Sequence, residues 1–102
     1  MKIGIIGGVD RSSSLLQQVA EARGHQLEIH TGVMSSAVAA SNLRALISRS
    51  ELVVVVTDVN SHNAVRSARR EAKLRKRPLR IVRRMGSAQF AALLRGLGAA
   101  KG

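Results

Sequence analysis

Four valines in a row, Val53 to Val56 between Leu52 and Thr57, constrain this chain more than any other segment. Branching at Cβ costs each of them rotamers in a helix, so the run predicts a strand over 51–57. A strand apolar at both alternate positions is buried on both faces, which is the setting of a central strand in a parallel sheet. Parallel neighbours need long crossover connections, and the rest of the sequence supplies them. KIGIIGG (2–8) reads as a first strand closed by a glycine turn, QLEIH (26–30) as a second, and LRIVRR (79–84), opened by Pro78, as a fourth. Between the strands, Leu15, Leu16, Val19 and Ala22 recur at helical spacing, with Ser12, Ser13 and Ser14 as candidate caps and Gly24 as a stop. Ser14 with Gln17 forms a weak capping box. TGVMSS is a loop, a second helix is expected over 37–48, a third over 61–75 capped by Asn60 or Ser61, and a short fourth over 87–94.

This alternation predicts an α/β fold, Rossmann-like or flavodoxin-like. Its core is a small doubly wound parallel sheet of four strands, order 2-1-3-4, with helices on both faces. Arg80, Arg83 and Arg84 suit an edge strand, where charge discourages further pairing. A single domain over 1–96 and a flexible Gly/Ala tail over 97–102 are expected. With 102 residues the chain has room for one core, and Phe90 is its only aromatic residue, so that core must be aliphatic. There is no cysteine, which excludes disulfides, thiolate chemistry and cysteine metal sites. No apolar run approaches the ~20 residues that span a bilayer, and the glycines near the N-terminus break any signal-peptide pattern. A cytoplasmic protein without membrane contact is expected.

Charge is the outlier of the composition. Seventeen Lys and Arg against six Asp and Glu give +11, with the excess mostly beyond Val65. Such a field favours polyanions, anionic small molecules or an acidic partner. An arginine-rich soluble surface explains the same count without a partner.

In an open parallel sheet, ligands bind beyond the carboxyl ends of the strands. That rule gathers Gly7, Gly8, Asp10, Arg11 and Ser12 from strand 1, and His30 and Thr31 from strand 2. Strand 3 adds Thr57, Asp58, Asn60, Ser61, His62 and Asn63, and strand 4 adds Arg83, Arg84 and Ser87. Gly7-Gly8 lets backbone N–H groups approach an anion at a helix amino end, and Arg11 adds a guanidinium fork. The same glycines also serve a tight turn with no ligand at all. The dinucleotide pattern GxGxxG fails at Val9 and Ser12, the acid expected at the tip of strand 2 is replaced by His30, and the P-loop pattern is absent. His30, Asp58 and His62 are weak metal candidates or an acid–base set, without HxH or HxxxH spacing to support a metal. As the plainer alternative, Asp58 and Asn60 cap the third helix and His62 stands exposed in its first turn. Asp58 also stands where a receiver domain keeps its phospho-accepting aspartate. The acidic pair after strand 1, the later lysine and the fifth strand of that fold are missing.

On the third helix, Arg66, Arg69, Arg70, Lys73 and Arg77 fall in one stripe about 100° wide, opposite Ala64, Val65, Ala68 and Ala72. A phosphate backbone fits such a stripe, and so does plain solvent. Without exposed aromatic residues there is no platform for stacking bases, so nucleic-acid contact there is electrostatic and blind to sequence.

GIIGGVDR, IHTG, LVVVVTDVNSHNAV and the P-x-x-x-V-x-R-R segment together resemble the bacterial "domain of unknown function 2325" family, over roughly Lys2 to Leu94. Thr57-Asp58 with His62-Asn63, and the pair Arg83-Arg84, are the most specific parts of the match. The resemblance implies the same small parallel α/β fold, often as a stand-alone protein, and brings no activity with it. Some similar sequences carry cysteine where this one has Val82 and a polar residue where it has Val9, which weakens any metal or redox role here.

The leading expectation is a non-enzymatic binding module for an anionic ligand at the carboxyl rim of the sheet. A nucleotide, a phosphorylated metabolite or a nucleic-acid backbone fits that class. Gly7, Gly8, Arg11, Ser12, Asp58, Ser61, His62, Asn63, Arg83 and Arg84 are its candidate contacts. The alternatives are a metal- or cofactor-dependent protein or enzyme using His30, Asp58 and His62, and a structural subunit of a homo-oligomer. No cofactor is specified. So small a domain buries little apolar surface alone, so a homodimer or larger assembly is expected.

Overall fold

A computed structural model describes residues 1–7, 13–58 and 60–101. Strands and helices alternate: β1 (Lys2–Ile6), α1 (Ser13–Ala22), β2 (Gln26–His30), α2 (Ala37–Arg49), β3 (Leu52–Val56), α3 (His62–Leu74), β4 (Leu79–Val82) and α4 (Ser87–Lys101). The four strands form one parallel sheet in the order β2-β1-β3-β4, the doubly wound arrangement that the valine run implies. Every residue of β3 is buried.

Alternation along β1 and β3 sends side chains into two separate cores. Ile3, Ile5, Leu52, Val54 and Val56 pack with Leu16 and Ala20 of α1 and with Phe90 and Leu94 of α4. Ile6, Val53 and Val55 pack with Leu43, Leu46 and Ile47 of α2 and with Ala64, Ala68 and Ala72 of α3. Helices α1 and α4 therefore cover one face of the sheet, and α2 and α3 the other. Gly4 points to the α2 side, where a Cβ would come within 2.3 Å of a Leu46 methyl and 2.5 Å of the Ser50 hydroxyl. That glycine lets α2 lie close against the sheet.

Several boundaries differ from the sequence reading. Ser14 is inside α1, so it does not cap that helix with Gln17. Helix α4 runs past Leu94 to Lys101 and takes in most of the Gly/Ala stretch expected as a tail. Arg83 and Arg84 lie just beyond β4 rather than within it. Arg77 lies outside α3, because the helix ends at Leu74 and the backbone turns left-handed at Lys76, φ +54°. Among the described residues no helix is long and apolar enough to cross a membrane.

Candidate functional site

Because each helix follows its strand and all strands are parallel, all four helices begin at the carboxyl edge of the sheet. Each helix start directs N–H groups without intrahelical acceptors, and the positive end of its macrodipole, there. None of the four carries an acidic residue in its first turn. The edge is thus positive by backbone geometry before any arginine is counted.

Asn60 organises the middle of this edge. Its side-chain amide donates to the carbonyls of Ile6 (3.2 Å) and Val56 (2.8 Å), tying the tips of β1 and β3 together. Its carbonyl oxygen accepts from the Ser61 N–H at 2.8 Å. The backbone passes close by at Gly7, φ +130°, and at Gly32, φ +87°, both in a region that side chains resist. A Cβ at Gly32 would sit 2.1 Å from the Asn60 carbonyl oxygen, and one at Gly7 would sit 2.6 Å from the Val56 carbonyl.

Ser61 caps α3, its hydroxyl accepting from the Ala64 N–H at 3.0 Å and donating to the Gly32 carbonyl at 2.6 Å. The cap is therefore Ser61, with Asn60 holding the residue before the helix, and among the described residues the Asp58 carboxylate meets Arg83 and Arg84 instead. The β2–α2 loop is held by His30. One ring nitrogen, Nδ1, accepts from the Gly32 N–H at 3.0 Å, which leaves Nε2 to donate to the Ala39 carbonyl at 3.0 Å. Ser36 caps α2 through the Ala39 N–H. Between these two loops lies an open crevice of about 400 Å³ lined by Thr31 to Ser35, Asn60, Ser61 and Asn63. His62 and Asn63 are exposed in the first turn of α3, where backbone N–H groups have no acceptor within the helix itself.

A second cluster sits at the β3–β4 side of the same edge. Arg84 Nε donates to Asp58 Oδ2 at 2.6 Å, and Arg83 Nε lies 3.8 Å from Oδ1. The Arg84 hydrogen bond holds the Asp58 carboxyl below its ordinary value and raises the guanidinium in turn. The backbones are joined as well, the Asp58 N–H donating to the Arg83 carbonyl at 3.0 Å.

The sequence candidates thus share one edge but form two groups. Strand spacing puts the tips of β2 and β3 about 10 Å apart, with β1 between them. His30 faces α2 with both ring nitrogens on backbone groups, Asp58 faces the paired arginines, and His62 is exposed. They do not form a common ligand set, and among the described residues no group of three or more His, Asp or Glu side chains is placed to hold a metal. Gly8, Asp10, Arg11 and Ser12 lie outside the described residues. Of the α3 stripe, Arg66, Arg69, Arg70 and Lys73 are exposed as expected. Arg77 is not part of it, since its guanidinium donates to the Ser48 carbonyl at the end of α2, 3.0 Å away.

Sequence reading missed the double bond of Asn60 and the clamp of His30. The signal for Asn60 was present: an amide four residues past the end of a buried strand, just before a serine cap, is placed to meet strand-tip carbonyls. Nothing local points to His30–Ala39, which depends on how α2 folds back over β2.

Comparison with known proteins finds one family model, described as "Uncharacterized protein conserved in bacteria (DUF2325)", matched over residues 2–97. No curated protein and no solved structure matches the chain.

Proposed function

We propose, for a chain that belongs to this bacterial family, the role of a non-enzymatic cytoplasmic module that binds a small phosphorylated anion at the carboxyl edge of its sheet. One observation carries the reading: Ser61 and Asn63, at the amino end of α3, line the 400 Å³ crevice, and the first N–H groups of a helix have no acceptor within it. A phosphate accepts from such groups and is favoured by the helix field. Thr31, Ser35 and Asn63 add neutral polar groups along the crevice wall, and Arg83 stands on the far side of the edge. The size suits a nucleotide-like or sugar-phosphate ligand. A reaction built on His30, Asp58 and His62 has no comparable support, because each of the three is engaged or oriented separately.

Pyrophosphate is a suitable probe, titrated by calorimetry into the whole chain and into an Asn63→Asp variant. A carboxylate in the first turn of α3 favours the helix, so the fold is retained while the anion is repelled. Binding to the parent chain and a loss of at least about tenfold in the variant are expected, as 1.4 kcal/mol of lost attraction gives tenfold. Equal affinity in both proteins overturns the assignment. With no Trp or Tyr, a strong band near 260 nm in purified protein would report co-purified nucleotide or nucleic acid, and native mass spectrometry would give its mass and the number of chains.

A further inference from the structure

The outer ridge of α3 is a second cationic surface, built from residues that the crevice does not use. At about 100° per residue, Arg66, Arg69 and Lys73 lie within about 60° of one another, with Arg70 beside them, over about 10 Å of helix. Ala64, Ala68 and Ala72 anchor the opposite side in the core. Glu71, the only acidic residue on the helix, is just 7 % exposed and is paired with Arg75 through its Oε1. Its other oxygen lies 3.7 Å from Arg70 Nε. Arg66, Arg69 and Lys73 have no acidic partner among the described residues. The helix has thus drawn its one carboxylate inward and left Arg66, Arg69 and Lys73 outward without a counter-charge among the described residues.

We infer that this ridge is a docking surface for the phosphate backbone of double-stranded DNA, bound without regard to sequence. Charge complementarity selects a polyanion. Two further observations select a duplex. Phe90, the chain's single Phe, Tyr or Trp, is wholly buried, so the ridge lacks the large aromatic platform on which single strands rely. The ridge is a convex helix face, which fits beside the phosphates of the wide major groove of B-form DNA, whereas the major groove of duplex RNA is deep and narrow. A rigid helix with cations about one turn apart meets successive phosphates of one strand, and the affinity comes from counterion release.

The test compares two charge-matched triple variants by fluorescence anisotropy on a 20-base-pair duplex of arbitrary sequence, across a salt series. One variant is Arg66→Gln, Arg69→Gln, Lys73→Gln. The other is Arg23→Gln, Arg80→Gln, Arg95→Gln, exposed cations belonging to the opposite face of the molecule. The ridge variant is expected to lose at least about tenfold in affinity at moderate salt. Its slope of log affinity against log salt should shrink by about 2.7, three phosphates at 0.9 each. The control variant should change affinity less than threefold. Equal losses in the two variants would reduce the ridge to net charge and overturn the inference. So would tighter binding of duplex RNA or of poly-glutamate than of DNA. Pyrophosphate binding in the ridge variant stays at the parent level if the two surfaces are independent, so failure of one reading is distinguishable from failure of the other.

Discussion

The two edges of the sheet are built from the same materials and behave as opposites. At the carboxyl edge four helices begin, Gly7 and Gly32 pass at positive φ with the Val56 carbonyl and the Asn60 side chain close against them, and the carboxylate of Asp58 is held between arginines. At the amino edge the helices end, Arg49 and Lys73 stand in the last turns of α2 and α3, and Glu21, Glu51 and Glu71 lie toward that side. Arg49, Lys73 and the lack of acids at helix starts are what the macrodipole favours, whereas Glu21 and Glu71, in the last turns of α1 and α3, run against it. The difference teaches that a residue type means little without its edge. Gly24 closes α1 at the amino side with φ +77° and nothing within 4 Å of where its Cβ would be. Gly7 has φ +130° and a carbonyl 2.6 Å from that point. One glycine serves a chain reversal and the other a crossing.

That contrast is open to direct attack. The largest effect is expected from Gly7→Ala, where left-handed strain of 1–2 kcal/mol adds to a backbone clash of similar size, about 3 kcal/mol in all. Gly24→Ala bears the strain alone and should cost about 1 kcal/mol. Urea unfolding of both variants measures the gap, and equal costs would erase the distinction between the edges. Next comes Asn60→Ala, which removes three hydrogen bonds at partly buried strand tips and should cost about 2 kcal/mol. Glu51→Ala at the other edge gives up one long, exposed contact to the Lys2 N–H, 3.4 Å, and should stay within about 0.5 kcal/mol. The smallest effect concerns Asp58. Its pKa is lowered in the folded chain, chiefly by the Arg84 hydrogen bond. The stabilisation is therefore complete above the ordinary aspartate value and fades as pH falls through the lowered one. A pH series should show a slight acid-side loss that is absent in Asp58→Asn. An unchanged loss in that variant would remove the pair from the account.

Much of the fold is written plainly in the chain. The valine run, the glycine after β1 and the cap serines are local features whose physical meaning does not depend on distant residues. The full length of helix α4 escaped because the Gly/Ala composition beyond Leu94 read as a tail. Once nucleated and docked through Phe90 and Leu94, a helix passes through glycines at a cost of only about 1 kcal/mol each. Arg77 was misplaced against a signal that was available, since Pro78 disfavours helical backbone in the residue before it. The site was legible to the level of its edge and no further. That Arg84 meets Asp58 follows from the register of β4 on β3. That His30 turns from the edge toward α2 follows from the path of a loop. Neither is fixed by residues adjacent in sequence.

Asn60 carries one more consequence. An amide that fastens two strand tips, with Ser61 fastened in turn to the Gly32 loop, ties both walls of the crevice to the sheet through hydrogen bonds within the chain. Under the proposed role, capture of an anion would demand little ordering of loops, so association should be fast and nearly rigid-body, with selectivity set by shape and charge already in place.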